Sequence, residues 1–552
     1  MTGESGGSLI TGGGEWVAWI FPMPKERFAP HRALLATLLT AFVGILPLAC
    51  APPARPGTTE GSGGSSSGGQ GATAGTTGGG ATGGSAGSGG HPSGGSGTVG
   101  SGGAAGHLTG SGGSGNAAGT GNSAGTGNSA GAAGTGLSRG PTPPKDGAQF
   151  PFPQNRPLTG CINPTGYDNN DVLAAYAQWK TDLVTSTGAG TFQRVQRTAS
   201  DGLGKNGATP LNSTVSEGIG YGMLIAVYMG DPASHTLFDN LWKYEQLHLD
   251  ANKLMNWSID ATGMTTKGTD GTVVGGGAAT DADEDMAFAL VMADKQWGSG
   301  GSLNYASLAS AQIGAIWNHE IYNSNLAGPG DGWGPGNLFA DINISYFAPS
   351  YYRVFKAIDG GHAWEAVTQT VFDTIDLALM GNGNATNGLV PAWCGTTSNS
   401  CVASSAGPFN YQYDSCRTPF RVGIDWCWNG AKDSTITALL KPSRAQSYVA
   451  KTTSFFSAVG APNIVDGYNL DGTVLTGTHT TAQGQSAAFL GPAGVGAMGT
   501  SNQAFLDAAY KQIKSGQLKI GGAYYDESWT VLSLLMMTGN FLDYTAISPA
   551  TN

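Results

Sequence analysis

The chain has 552 residues, with 26 Lys and Arg against 37 Asp and Glu, for a net charge of −11. Basic residues this few and this scattered do not build a groove that tracks phosphates, so no nucleic-acid partner is expected. Six cysteines in such a length do not make a disulfide scaffold, and none stands at zinc-finger spacing.

Residues 1–50 read as a leader. Residues 33–49 form an apolar run that follows Lys25, Arg27 and Arg32 and ends at Cys50. A basic stretch, a short apolar run and small residues before a cut describe a secretory signal. The run is close to the shortest that spans a bilayer, so an uncleaved anchor stays open. Its ending, Leu48-Ala49-Cys50, resembles a bacterial lipoprotein signal, in which the cysteine is lipidated; Pro47 departs from that pattern. An exported protein follows, either held at the outer membrane or cell surface through Cys50 or released.

Residues 51–147 read as a tether. Between 61 and 140 there are 34 Gly, Arg139 is the sole charged residue, and a Gly-Asn-x-Ala-Gly-Thr unit recurs at 115–120 and 121–126. Such a stretch has no apolar surface to bury and is expected to be disordered. Its coil would span about 45 to 55 Å, enough to let an attached domain search a polymer.

From 148 to 552 the composition changes: all tryptophans but Trp16 and Trp19 lie here, and apolar residues recur at three- and four-residue intervals. The spacing predicts helices over 171–184, 217–229, 237–249, 281–297, 305–317, 349–357, 363–379, 419–428, 447–459, 482–489, 503–514 and 526–538. No Val/Ile-rich strands alternate with them, which argues against a Rossmann or triose-phosphate-type barrel. About twelve helices joined by loops rich in Gly, Asn, Asp and Trp fit an all-α barrel or an α-solenoid.

Three acidic constellations stand out. The first is Ser216-Glu217-Gly218-Ile219-Gly220-Tyr221-Gly222-Met223, with Glu217 opening a helix. A carboxylate there can simply complement the helix dipole. To act as a general acid it must hold its proton, which needs burial or a neighbouring carboxylate. The second is Thr280-Asp281-Ala282-Asp283-Glu284-Asp285, in which Thr280 and Asp283 suggest a capping box and Asp281 and Asp285 share a face. Several of these acids are expected to cap or face solvent, one to do chemistry; calcium is a rival, though the EF-hand glycine is missing. The third is Tyr413-Asp414-Ser415-Cys416-Arg417-Thr418-Pro419, with Thr418 as a cap and Arg417 placed to hold Asp414 ionised, as a base must be; a structural ion pair is the plain alternative. No serine triad, metal-ligand histidine spacing or cofactor fingerprint accompanies them. Carboxylates in a chain rich in Trp and Tyr suit glycosidic hydrolysis.

At these residues the chain resembles glycoside hydrolase family 8, in its endoglucanase-like subgroup. The likeness lies in Ser216–Met223, in 279–287, in Tyr413-Asp414 followed by Arg417, and in Leu254-Met255-Asn256-Trp257, Ser345-Tyr346-Phe347-Ala348-Pro349 and Tyr524-Tyr525-Asp526. It extends over roughly 150–545 and implies an (α/α)6 barrel. It also implies an inverting endo-β-1,4-glucanase with Glu217 as general acid and Asp414 as general base. Asp281 would sit at the central subsite and favour an oxocarbenium-like ring with its negative charge. Arg417 would orient Asp414, Tyr413 would border the water, and Trp257 and Tyr221 would meet the sugar, although an isolated tryptophan more often packs in a core. The two catalytic carboxyls would stand ~6.5–9.5 Å apart, leaving room for water. No metal or organic cofactor is required, and a monomer acting on a β-linked polysaccharide or oligosaccharide is expected. Xylan, chitosan or mixed-linkage glucan are alternative substrates, and a non-catalytic glycan-binding surface protein is the non-enzyme alternative. Of the cysteines, Cys394 and Cys401 can close a loop. Cys416 and Cys427 would be too far apart in one straight helix, Cys161 could join either, and free thiols remain open.

Overall fold

The structure, a computed structural model, describes residues 147–198, 207–333, 341–396, 400–404, 406–475, 484–518 and 524–549. The readings made for the leader, for Cys50 and for the tether up to residue 146 lie outside the described residues.

Twelve helices are described: α1 Asn169–Leu183, α2 Ser216–Met229, α3 Pro232–Glu245, α4 Thr280–Trp297, α5 Tyr305–His319, α6 Pro349–Ile358, α7 Trp364–Ala378, α8 Thr418–Asn429, α9 Ser443–Val459, α10 Ala487–Met498, α11 Gln503–Ile513 and α12 Tyr524–Met537. Eleven follow predicted segments closely, and α10 overlaps its predicted segment only over 487–489. They differ in how they are buried. In α2 every residue is buried except Glu217, and in α10 every residue is buried. In α5 only Tyr305, Ala309, Gln312, Ile313 and Ile316 are, one stripe of an amphipathic surface helix.

Packing follows that division. The even-numbered helices touch in the order α2, α4, α6, α8, α10, α12 and back to α2, which closes an inner ring. Each odd-numbered helix covers an inner neighbour: α3 lies on α2, α5 on α4, α7 on α6, α9 on α8, α11 on α10 and α1 on α12. This is the (α/α)6 barrel. Sheets among the described residues are marginal, the largest having three short strands, 341–342, 394–396 and 401–402. No described helix is long and apolar enough to cross a membrane.

Three local expectations change. The helix predicted to stop at 489 begins at Ala487 and runs through Pro492 to Met498. Glycine and proline disfavour helix interiors, but α10 is enclosed by its neighbours and needs small residues: a Cβ on Gly491 would meet Ser533 Oγ at 2.4 Å. Ahead of α4 the cap residue is Ala279, with no side-chain cap, and Asp283 is buried and accepts from Gln312 Nε2 at 2.9 Å, so there is no capping box. Thr418 is the first residue of α8 rather than its cap, and its hydroxyl donates to the Ser415 carbonyl. Disulfides join Cys161 to Cys427 and Cys394 to Cys401, while Cys416 is a buried free thiol.

Candidate active site

The candidate residues gather at the N-terminal ends of the inner helices. Glu217 and Asp281 are the second residues of α2 and α4, Ser345 lies in a 3₁₀ turn before α6, Asp414 and Arg417 precede α8, and Tyr524 opens α12. Two short antiparallel strands, 214–215 and 258–259, deliver the chain to α2, where the Ser216 amide donates to the Trp257 carbonyl at 2.9 Å. Gly220 lets α2 approach α4, since a Cβ there would lie 2.9 Å from Asp285 Cβ and 3.2 Å from the Ala282 carbonyl oxygen. Helix N-termini favour negative charge, which suits a ring end lined by carboxyls.

Arg417 is the hub. Its side chain is 1% exposed, and its Nη1 donates both to Glu217 Oε1 and to Asp281 Oδ2, while its Nε donates to Ser345 Oγ at 3.1 Å. Its Nη2 stands 3.9 Å from Asp414 Oδ1. The expected Arg417–Asp414 pair is therefore the loosest of its contacts. Arg417 lies just before the first turn of α8 and sends its guanidinium into the ring, where the carboxylates of α2 and α4 are nearer. Glu217 and Asp414 thus flank one guanidinium, with oxygens no more than about 9 Å apart, a span compatible with a water-separated pair.

Glu217 accepts from Tyr221 OH at 2.8 Å and from Tyr524 OH on its other oxygen. Tyr221 is fully buried, and its hydroxyl braces Glu217. Asp281 is 2% exposed, and burial pushes its carboxyl up to about 8, with Glu217 acting in the same direction and Arg417 against it. The rest of the acidic run is buried as well and fans out to separate partners: Asp285 to Arg421, Asp283 to Gln312, Glu284 to Tyr352 OH. None of the four faces solvent.

Asp414 is the open carboxyl, its side chain 42% exposed. Its Oδ2 accepts from Trp393 Nε1 at 3.1 Å and from Gln412 Nε2 at 3.2 Å. Tyr413 is half-buried, donates to Asp466 Oδ2 at 3.0 Å, and takes a hydrogen bond from Tyr525 OH on its carbonyl. Trp257 is half-buried beside the start of α2, with its indole N–H on the Val274 carbonyl at 2.9 Å. Sequence reasoning gave Tyr524 no role and missed Trp393 altogether. The doubled Tyr524-Tyr525 was a usable signal; a tryptophan before a disulfide cysteine was a weak one.

A closed ring of helices with carboxyls gathered around one guanidinium at one end suits the hydrolysis of glycosidic bonds. Residues 163–539 match Glycosyl hydrolases family 8, and the chain belongs to that family. Endoglucanase A of Acetivibrio thermocellus is 37% identical over 369 residues, 67% of this chain and 69% of that protein. Endoglucanase 2 of Ruminiclostridium josui is 35% identical over 399 residues, 71% of this chain and 77% of its own length. The apo structure of a beta-1,3-1,4-glucanase from Paenibacillus sp. X4 superposes with a TM-score of 0.60 at 29% identity, covering 71% of this chain and 99% of that one.

Proposed function

We propose that the chain is an inverting endo-β-1,4-glucanase acting on internal bonds of a β-linked glucan, with Glu217 as general acid and Asp414 as general base. The observation that carries this is the single guanidinium of Arg417 flanked by Glu217 on one side and Asp414 on the other. Glu217 gives a proton to the leaving glycosidic oxygen as the bond to the anomeric carbon breaks. Asp414 takes a proton from the water that attacks from the opposite face. Asp281 steadies the flattened ring by hydrogen bonding, and Arg417 holds Glu217 and Asp281 in place. Trp257 supplies an aromatic face, and Tyr413 lines the base side.

Similarity to two proteins named endoglucanases supports the β-1,4 assignment. Similarity to a beta-1,3-1,4-glucanase makes mixed-linkage glucan the second reading. A basic stretch and apolar run ahead of Cys50 support export with lipid attachment. Reducing-sugar release from carboxymethylcellulose, with mixed-linkage glucan, xylan and chitosan in parallel, tests the substrate. NMR of the first anomer tests the stereochemistry: an α product is expected from a β-linked substrate, and an initial β product refutes inversion. Glu217→Gln should remove most turnover while cello-oligosaccharide binding persists; undiminished activity would refute the acid assignment.

A further inference from the structure

The most exposed carboxyl of the site needs something to fix its orientation, and Arg417 at 3.9 Å is too distant to do so. We propose that Trp393 is the positioning residue for the general base: its indole N–H, together with the Gln412 amide, occupies Oδ2 of Asp414 and turns Oδ1 toward the attacking water. This rests on the assignment of Asp414 made above. Indole N–H is a donor only, so at this contact Oδ2 of Asp414 is the acceptor and is held in place by it.

The tryptophan is itself held on every side. Its backbone N–H donates to the Pro408 carbonyl at 3.1 Å. Its ring lies so close to Gly407 that a Cβ there would stand 2.3 to 2.8 Å from Cδ1, Cγ and Nε1. The next residue, Cys394, starts a strand paired with 341–342 on one side and with 401–402 on the other, and is bonded to Cys401. The ring also meets Tyr346 edge-on with centroids 6.2 Å apart, and the Arg417 guanidinium lies over that same tyrosine at 4.9 Å. Tyr346 thus joins the group that holds the acid to the group that holds the base, so the two carboxyls keep a common frame.

The test is Trp393→Phe, which keeps an aromatic ring, though a smaller one, and removes the donor. On a soluble cello-oligosaccharide, kcat should fall about 10-fold or more, as for loss of one hydrogen bond to a charged group, with KM within about twofold. Gly407→Ala, which displaces the indole by contact, should give the same split and decides the matter if the first variant does not fold. In Asp414→Ala, azide can replace water and needs no base; the azide-supported rate should be the same with Trp or Phe at 393. Three results would overturn the proposal: an unchanged kcat in Trp393→Phe, a raised KM with kcat intact, or an equal loss in the azide-supported reaction. All three leave Asp414 as the base. Full activity in Asp414→Ala without azide, or no azide rescue of it, would instead remove the base assignment and this proposal with it.

Discussion

Arg421→Met isolates the electrostatics of the inner ring without touching the carboxyls proposed for catalysis. Arg421 and Asp285 form a two-pronged pair, with the second contact at 2.7 Å, and both side chains are at most 1% exposed. Taking away the cation leaves a buried carboxylate without its counter-charge, a loss of roughly 3–5 kcal/mol. Adding Asp285→Leu should recover most of it, because two apolar side chains of similar volume often match a buried ion pair to within about 1 kcal/mol or exceed it. Burial already raises the Asp285 carboxyl, against the opposing pull of Arg421 and then Arg417. With Arg421 gone, the folded protein holds that proton more tightly still, while the unfolded chain releases it near pH 4. The deficit should therefore be small at low pH and, above the pH at which Asp285 ionises beside Arg421 in the parent, grow by about 1.4 kcal/mol per unit until the buried group ionises in the variant as well. Urea unfolding followed by tryptophan fluorescence at pH 5 and pH 7 measures this. Additive single effects, or a loss in Arg421→Met below about 1 kcal/mol at pH 7, would refute the reasoning.

Glu245 is fully buried, and burial pushes its carboxyl up to about 8, partly offset by the Gln246 amide. Its folded value lies above its unfolded one, so its contribution is fully present below about pH 4.3 and is lost as pH rises through 8. Glu245→Gln should therefore flatten the alkaline fall in stability, gaining a few kcal/mol on the parent between pH 5 and pH 9 in urea titrations. Gly220→Ala should cost about 1–3 kcal/mol despite the better helix propensity of alanine, because its methyl meets Asp285 Cβ and a backbone oxygen on α4. Thermal unfolding reads that cost, and a gain in Tm would show that the helices can move apart freely. Cys394→Ala with Cys401→Ala should lower kcat severalfold with KM little changed, since the clasp next to Trp393 is lost; steady-state kinetics on carboxymethylcellulose checks it.

The helices were legible because packing leaves a periodic trace; among the buried inner ones α10, enclosed on all sides and carrying no such trace, was misplaced. Ring closure was not legible: α2 meets α12 across some three hundred residues, and nothing in local spacing reports so distant a contact. The three acidic motifs announced Glu217, Asp281 and Asp414 because carboxylates are conspicuous in a chain with few charges. Their partners were misjudged for one reason. Arg417 stands three residues from Asp414, so proximity in sequence suggested a pair, whereas space gives it to Glu217 and Asp281. Tyr524 and Trp393 lie 307 and 21 residues from the carboxylates they bond, and tyrosine and tryptophan serve cores so often that neither attracts notice alone.

The clasp between Tyr524 and Glu217 makes the last inner helix a condition of the first. A ribosome must have delivered nearly the whole barrel before the proposed proton donor has its full set of neighbours, and a chain ended ahead of residue 524 cannot assemble that set.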